Sequence, residues 1–147
     1  MMADNAPVME IELAMAMEQA HAAVASMRSG DPEPYIRCWT SSDDATLFGA
    51  WGATEKGHKA VTDTCRWLGS RYANGTGPVG VEQAVVASSD DLAYTVGFER
   101  GPVSVDGGPT REMAMRVTHI YRRIDGGWKL VHRHADFPLP DHRILAL

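Results

Sequence analysis

Residues 116–136 read Arg116-Val117-Thr118-His119-Ile120-Tyr121-Arg122-Arg123-Ile124-Asp125-Gly126-Gly127-Trp128-Lys129-Leu130-Val131-His132-Arg133-His134-Ala135-Asp136. Two strand-like runs flank Asp125-Gly126-Gly127, whose composition marks a tight hairpin. Alternate residues of a strand share a face. Trp128, Leu130, His132, His134 and Asp136 are therefore expected together, apolar at the start of the run and titratable at its end. A three-residue connection over Asp125-Gly126-Gly127 pairs even positions with even ones. It sets Arg116 and Thr118 beside His134 and Asp136, and Ile120 beside Leu130 and His132. If this even face meets the helices, it is core opening into a cavity. The odd face carries Met113, Met115, Val117, His119 and Tyr121 opposite Val131, Ala135 and Phe137, with Lys129 and Arg133 among them. It is too apolar for an ordinary solvated face. A second copy is the expected cover, giving a two-fold dimer through sheet faces; the chain's own tail, Pro138 to Leu147, is the other.

Outward from the hairpin, the remaining sheet reads as Val79 to Ser88 and Leu92 to Arg100, separated by Ser89-Asp90-Asp91 and followed by a loop over Gly101 to Pro109. A short strand is expected at Ala45 to Ala50. Three helices precede or interrupt these strands. From Pro7 to about Ser29, Leu13, Met17, Ala20, Val24 and Met27 recur at helical spacing, and Gly30 stops the helix. Pro34 to Trp39 is a short helix with Tyr35 and Trp39 turned inward. His58 to about Ala73 is the third, with Val61, Thr64, Cys65 and Leu68 as its inner stripe. The Gly49–Gly57 stretch is glycine-rich but carries neither GxGxxG nor GK[ST], so its glycines are read as turns at a pocket mouth. Helices first and antiparallel strands after make an α+β domain.

The chain has 147 residues, enough for a single domain burying roughly 70% of its unfolded surface. Its net charge of −5 gives no electrostatic help toward nucleic acid or anionic membrane, and no apolar run is long enough for a span. The first residues lack a basic segment followed by an apolar core, and Cys38 and Cys65 form no CxxC pair. A cytoplasmic protein with reduced thiols is expected.

The order of elements resembles the nuclear transport factor 2-like superfamily, and within it the SnoaL-like and ketosteroid-isomerase-like proteins. The resemblance runs over about residues 10 to 137, leaving a short tail from 138 to 147. It rests on Tyr35-Ile36-Arg37-Cys38-Trp39 with Asp43-Asp44-Ala45-Thr46-Leu47-Phe48, on Gly57 opening a helix, and above all on the closing hairpin. It implies a cone-shaped α+β fold, cystatin-like, with a curved antiparallel sheet wrapped on N-terminal helices around a deep cavity, and frequent dimerisation. Function does not come with that fold, whose members include isomerases, cyclases, dehydratases and domains that only bind or assemble. Asp44 lies near where such proteins often carry an acid.

The expected function is binding of a small, partly apolar carbonyl compound, with isomerase- or cyclase-like proton transfer by His132 or His134, tuned by Asp136. Arg116 or Tyr94 would stabilise developing oxyanion charge. Thr118, Trp39 and Trp51 complete the expected ligand wall, with Trp51 the best placed to touch ligand. A buried Arg116 needs a partner, Asp136 or Glu99, or else an anionic ligand. The histidines and Asp136 also suit a structural hydrogen-bond cluster, and His-x-His could hold a metal. No cofactor or metal is expected. The other class of function is a non-catalytic ligand-binding or dimeric assembly module.

Overall fold

A computed structural model describes residues 10–75 and 79–138. The expected helix start at Pro7 and the tail beyond Pro138 lie outside them. Helix α1 spans Ile11–Arg28, α2 Glu33–Arg37 and α3 His58–Arg71. The strands are β1 Thr46–Phe48, β2 Thr54–Lys56, β3 Tyr72–Ala73, β4 Gly80–Ser88, β5 Leu92–Val105, β6 Arg111–Ile124 and β7 Gly127–Asp136. They form one strongly curled half-barrel sheet in the order β2-β1-β7-β6-β5-β3, with β4 also paired to β5. Every pairing is antiparallel except β1 with β7.

The α1 stripe behaves as its spacing demands: Leu13, Met17, Ala20, Val24 and Met27 are all buried. They pack with Tyr35, Val61 and Cys65 of the other helices, and with Trp39 just past α2, against Leu47, Val103, Met113, Met115, Val117, Tyr121, Trp128, Leu130 and Ala135 of the sheet. Trp67 does not join them; it lies 46% exposed, under the Arg71 guanidinium. The glycine-rich loop is partly strand, since β2 pairs with β1. β5 runs five residues past its expected end at Arg100, because Gly101 to Val103 pair with Arg111 to Met113 of β6 and Ser104 and Val105 with β3.

The hairpin departs from expectation in the way that matters most. Asp125 and Gly126 both take positive φ, 50° and 80°, so the connection is a two-residue turn closing on the Ile124–Gly127 pair. Such a turn pairs even positions with odd ones: Tyr121 faces Leu130 and Arg123 faces Trp128. A β-bulge at Val131 then inserts one residue, and beyond it Ile120 faces His132, Thr118 faces His134 and Arg116 faces Asp136. The even-with-even register therefore holds beyond the bulge and fails before it. Because one inserted residue turns every following side chain to the other face, the apolar and titratable halves of β7 part company. Trp128 and Leu130 enter the core; His132, His134 and Asp136 point away from the helices.

The sheet is thus turned over relative to the sequence expectation. The odd residues of β6 face the helices, and Met113, Met115, Val117, His119 and Tyr121 are buried there. The outer face carries the even residues of β5 and β6. Leu92, Tyr94 and Val96 are exposed on it, with Val85 of β4 and Phe48 of β1 beside them. No helix among the described residues is long and apolar enough to cross a membrane.

Candidate functional site

Register brings four polar side chains to the helix side of the sheet. His119 of β6 lies opposite Arg133 of β7 and Thr95 of β5, and Glu99 sits four residues further along β5. The bulge at Val131 is what turns Arg133 inward. α2 supplies Tyr35 from above. Glu99, His119 and Tyr35 are each at most 3% exposed, and the Arg133 side chain 12%.

Arg133 grips Glu99 with both nitrogens, Nη1 to Oε2 at 2.8 Å and Nη2 to Oε1 at 2.9 Å. Nη1 also reaches His119 Nε2 at 3.1 Å, and Tyr35 Oη lies 2.8 Å from the same nitrogen. A guanidinium only donates, so His119 Nε2 must be bare and its ring proton sits on Nδ1. Nε2 has a single lone pair and Arg133 already donates to it, so the Tyr35 hydroxyl proton is free to turn between Nε2 and the cavity that Tyr35 lines. Burial would raise the Glu99 carboxyl, but the Arg133 charge, with help from His119 and Arg28, overrides it and holds it at about 2. For His119, burial and the Arg133 charge act together and bring the imidazole down to about 3. Burial would lower Arg133, yet Glu99 keeps it firmly protonated. Burial also lifts the Tyr35 phenol well above its ordinary range. At neutral pH the cluster is one ion pair with a neutral imidazole and a neutral phenol.

Tyr35, Glu99 and Arg133 form the polar end of a cavity whose other walls include Val24, Met27, Leu47, Leu68, Met113 and Met115. The cavity is about 40 Å³, room for roughly three water molecules. Trp51, in the Gly49–Gly52 turn, closes it. Its indole Nε1 donates to Tyr72 Oη at 2.6 Å, its ring meets Phe137 edge-on at 4.9 Å, and Arg71 lies over it at 5.2 Å. Arg71 is itself held by Asp106 through two hydrogen bonds.

The residues singled out in the sequence are placed differently. Only Trp51 lines this cavity. Trp39 is buried one layer behind, edge-on to Tyr35 at 6.2 Å, and its Nε1 has no partner among the described residues. His132, His134, Asp136, Arg116, Thr118 and Tyr94 are all on the outer face, so the expectation that they wall a helix-side cavity does not hold. The β7 bulge and the two-residue turn are the cause. Arg116 does pair with Asp136, at 2.5 and 2.7 Å, and this contact holds the Asp136 carboxyl below its ordinary range. His132 Nδ1 is 2.7 Å from Thr46 Oγ1, and partial burial together with His134 lowers its pKa. Both imidazoles stand edge-on to Phe48, at 5.8 and 5.6 Å. A shallow groove of about 300 Å³ runs past Val96, Arg116, Thr118 and His134. Asp44 is exposed and tied to Arg122 at 2.9 Å. Among the described residues no three His, Cys, Asp or Glu side chains converge as metal ligands would.

Sequence reasoning passed over Glu99, His119 and Arg133 as site residues. The signal was present: each is a polar residue at an apolar register position, between Gly97 and Gly101, between Val117 and Tyr121, and between Val131 and Ala135. A charge inside such a stripe is either paired or functional.

The comparisons with known proteins agree with this architecture. A ketosteroid isomerase-like protein from Erwinia carotovora atroseptica superposes with a TM-score of 0.72 at 19% identity, covering 89% of this chain and 99% of that one. A nuclear transport factor 2-like protein of unknown function in nutrient uptake from Rhodospirillum rubrum gives 0.62 at 26% identity, covering 86% and 98%. A protein of unknown function with a cystatin-like fold from Nostoc punctiforme gives 0.64 at 21%, covering 88% and 91%. No curated protein sequence matches significantly. The profile of the SnoaL-like domain matches residues 14–140. The chain belongs to the SnoaL-like domain family, within the nuclear transport factor 2-like superfamily.

Proposed function

We propose that this chain binds a compact, partly apolar molecule in the cavity beneath Trp51, with an oxygen of the ligand turned to Tyr35 and Arg133. The observation that carries this reading is an apolar-walled cavity that closes on a buried ion pair and a phenol. Few, convergent polar groups in an apolar cleft are what a small-molecule site requires. Isomerase- or cyclase-type chemistry would use the same end. Tyr35 and Arg133 would stabilise an enolate oxygen, and Glu99 is the carboxylate on the cavity wall. Held at about 2, Glu99 is a weak base, so turnover is confined to carbon acids already acidified by the substrate's own carbonyl groups. Tyr35→Phe removes one donor and is expected to weaken binding of a carbonyl ligand about tenfold by titration calorimetry. His132→Ala and His134→Ala are expected to leave that affinity unchanged. The opposite pattern would return the site to the outer face and its groove.

For the outer face we propose a second copy of the chain. Phe48, Val85, Leu92, Tyr94 and Val96 are each more than a third exposed on it, and apolar side chains gathered on one sheet face are what a protein–protein contact uses. His132 and His134 would then lie within or beside the subunit contact. Sedimentation velocity is expected to show a dimer for the unaltered chain and a folded monomer for Val96→Glu; a monomer for both removes the proposal. Cys38 and Cys65 are both unpaired, which fits the reducing cytoplasm we propose as the location.

A further inference from the structure

The cavity wall holds more positive charge than negative. Arg28, at the end of α1, lines it alongside Arg133 and is 2% exposed. Its Nη1 donates to the backbone carbonyls of Gly101 at 3.0 Å and Met113 at 3.1 Å, and its Nη2 reaches the Glu99 carbonyl at 3.5 Å. Among the described residues no carboxylate pairs with it directly. Among the described residues Glu99 is the one carboxylate on the wall, and Arg133 occupies both of its oxygens.

The remaining titratable groups on the wall do not redress the balance. Burial raises the phenols of Tyr35 and Tyr72, and it pushes the Cys65 thiol up to about 12. All three are neutral at neutral pH. Glu112 also acts on Arg28, but from an exposed position where water screens it. Two guanidiniums and one carboxylate leave the wall one positive charge in excess. Carbonyl dipoles offset part of the cost of such a buried charge; a counter-ion offsets more.

We infer that the ligand of this cavity is a short-chain carboxylate whose negative charge completes the Arg28–Arg133–Glu99 set. The inference rests on the ligand-binding reading above and narrows it to one chemical class. Volume narrows it further. Room for roughly three waters admits a carboxyl group with a few carbons, and Met27, Met113, Met115 and Leu68 offer those carbons apolar surface. A drug-sized or steroid-sized body needs several hundred Å³ and would have to displace Trp51 from Tyr72.

The test is a matched pair of probes, isobutyrate and isobutyramide, which share shape and differ in charge. Titrated into the unaltered protein at neutral pH, isobutyrate is expected to bind at least tenfold more tightly. Equal or tighter binding of the amide would overturn the carboxylate assignment and leave the ligand site standing. Failure of both probes at millimolar concentration would overturn the assignment and the small-ligand site together. Glu99→Gln adds a second reading. It removes the competing carboxylate, so isobutyrate affinity is expected to rise at least tenfold, and to carry the variant's melting temperature up with it. A fall in isobutyrate affinity in a folded Glu99→Gln protein would contradict the inference.

Discussion

Arg133→Met is expected to destabilise the fold by about 3–5 kcal/mol, because it strands Glu99 as an unpaired buried carboxylate. Glu99 is 2% exposed and Arg133 meets both of its oxygens, so the few waters the cavity has room for would replace hydrogen bonds but not the guanidinium's charge. His119 would also lose a donor to Nε2 and keep only Tyr35. For a chain of this length each kcal/mol moves the melting temperature by roughly 2–4 °C, so a drop on the order of 10 °C is expected by calorimetry. The double variant Arg133→Met/Glu99→Leu distinguishes an unpaired charge from lost packing. Removing both charges is expected to recover most of the loss, since an apolar replacement for a buried pair is often neutral or better. A double variant as unstable as the single one would mean that the pair itself, and not the orphaned charge, holds β5 to β7.

Acid is the second large lever. An unfolded His119 takes a proton near 6.5, whereas the folded one does so only at about 3. For Glu99 the corresponding values are 4.5 and about 2. In both windows the unfolded chain binds the extra proton, so stability rises with pH and falls as pH drops from about 6.5. Each group contributes a slope of up to about 1.4 kcal/mol per pH unit within its own window. The His119 share comes first, between 6.5 and 4.5; the two then act together until folded His119 protonates at about 3, and Glu99 acts alone from there to about 2. His21 and His132 are also lowered by burial and add to the early slope. His119→Gln separates the contributions. Urea denaturation across this range is expected to show a marked loss of stability toward pH 4.5 in the unaltered chain and a shallower loss in the variant. Stability that is flat or rising toward pH 4.5 would be incompatible with a neutral, buried His119.

How far the sequence could be read follows from which signals are local. The α1 stripe is periodic over five residues from Leu13 to Met27, and all five are buried. The pairing of Arg116 with Asp136 and of Thr118 with His134 follows from even-with-even register, and both pairs occur. The face those residues occupy does not follow from register alone. It depends on Val131, one bulged residue with no marker in the sequence, and on a two-residue turn where Asp125-Gly126-Gly127 allowed a longer one. Asp-Gly does favour the two-residue turn, so that part was available. The short strands β2 and β3 have only three and two residues, too few to show a period, and they exist because neighbouring strands present free edges. The site inherits these gaps. Its members come from α1, α2, β5, β6 and β7, and only folding makes Arg28, Tyr35, Glu99, His119 and Arg133 neighbours. Trp51 was legible because a tryptophan between glycines in a turn has little else to do than cover a cleft.

The most direct test is a titration of isobutyrate followed by methyl resonances of methionine and ring resonances of histidine in one sample. Met27, Met113 and Met115 line the helix-side cavity, whereas His132 and His134 stand on the opposite face of the same sheet. Saturable shifts of those three methyl signals, with the His132 and His134 rings unmoved, are the expected result. Shifts confined to His132 and His134, with the three methionines unmoved, would contradict it and place the ligand on the outer face.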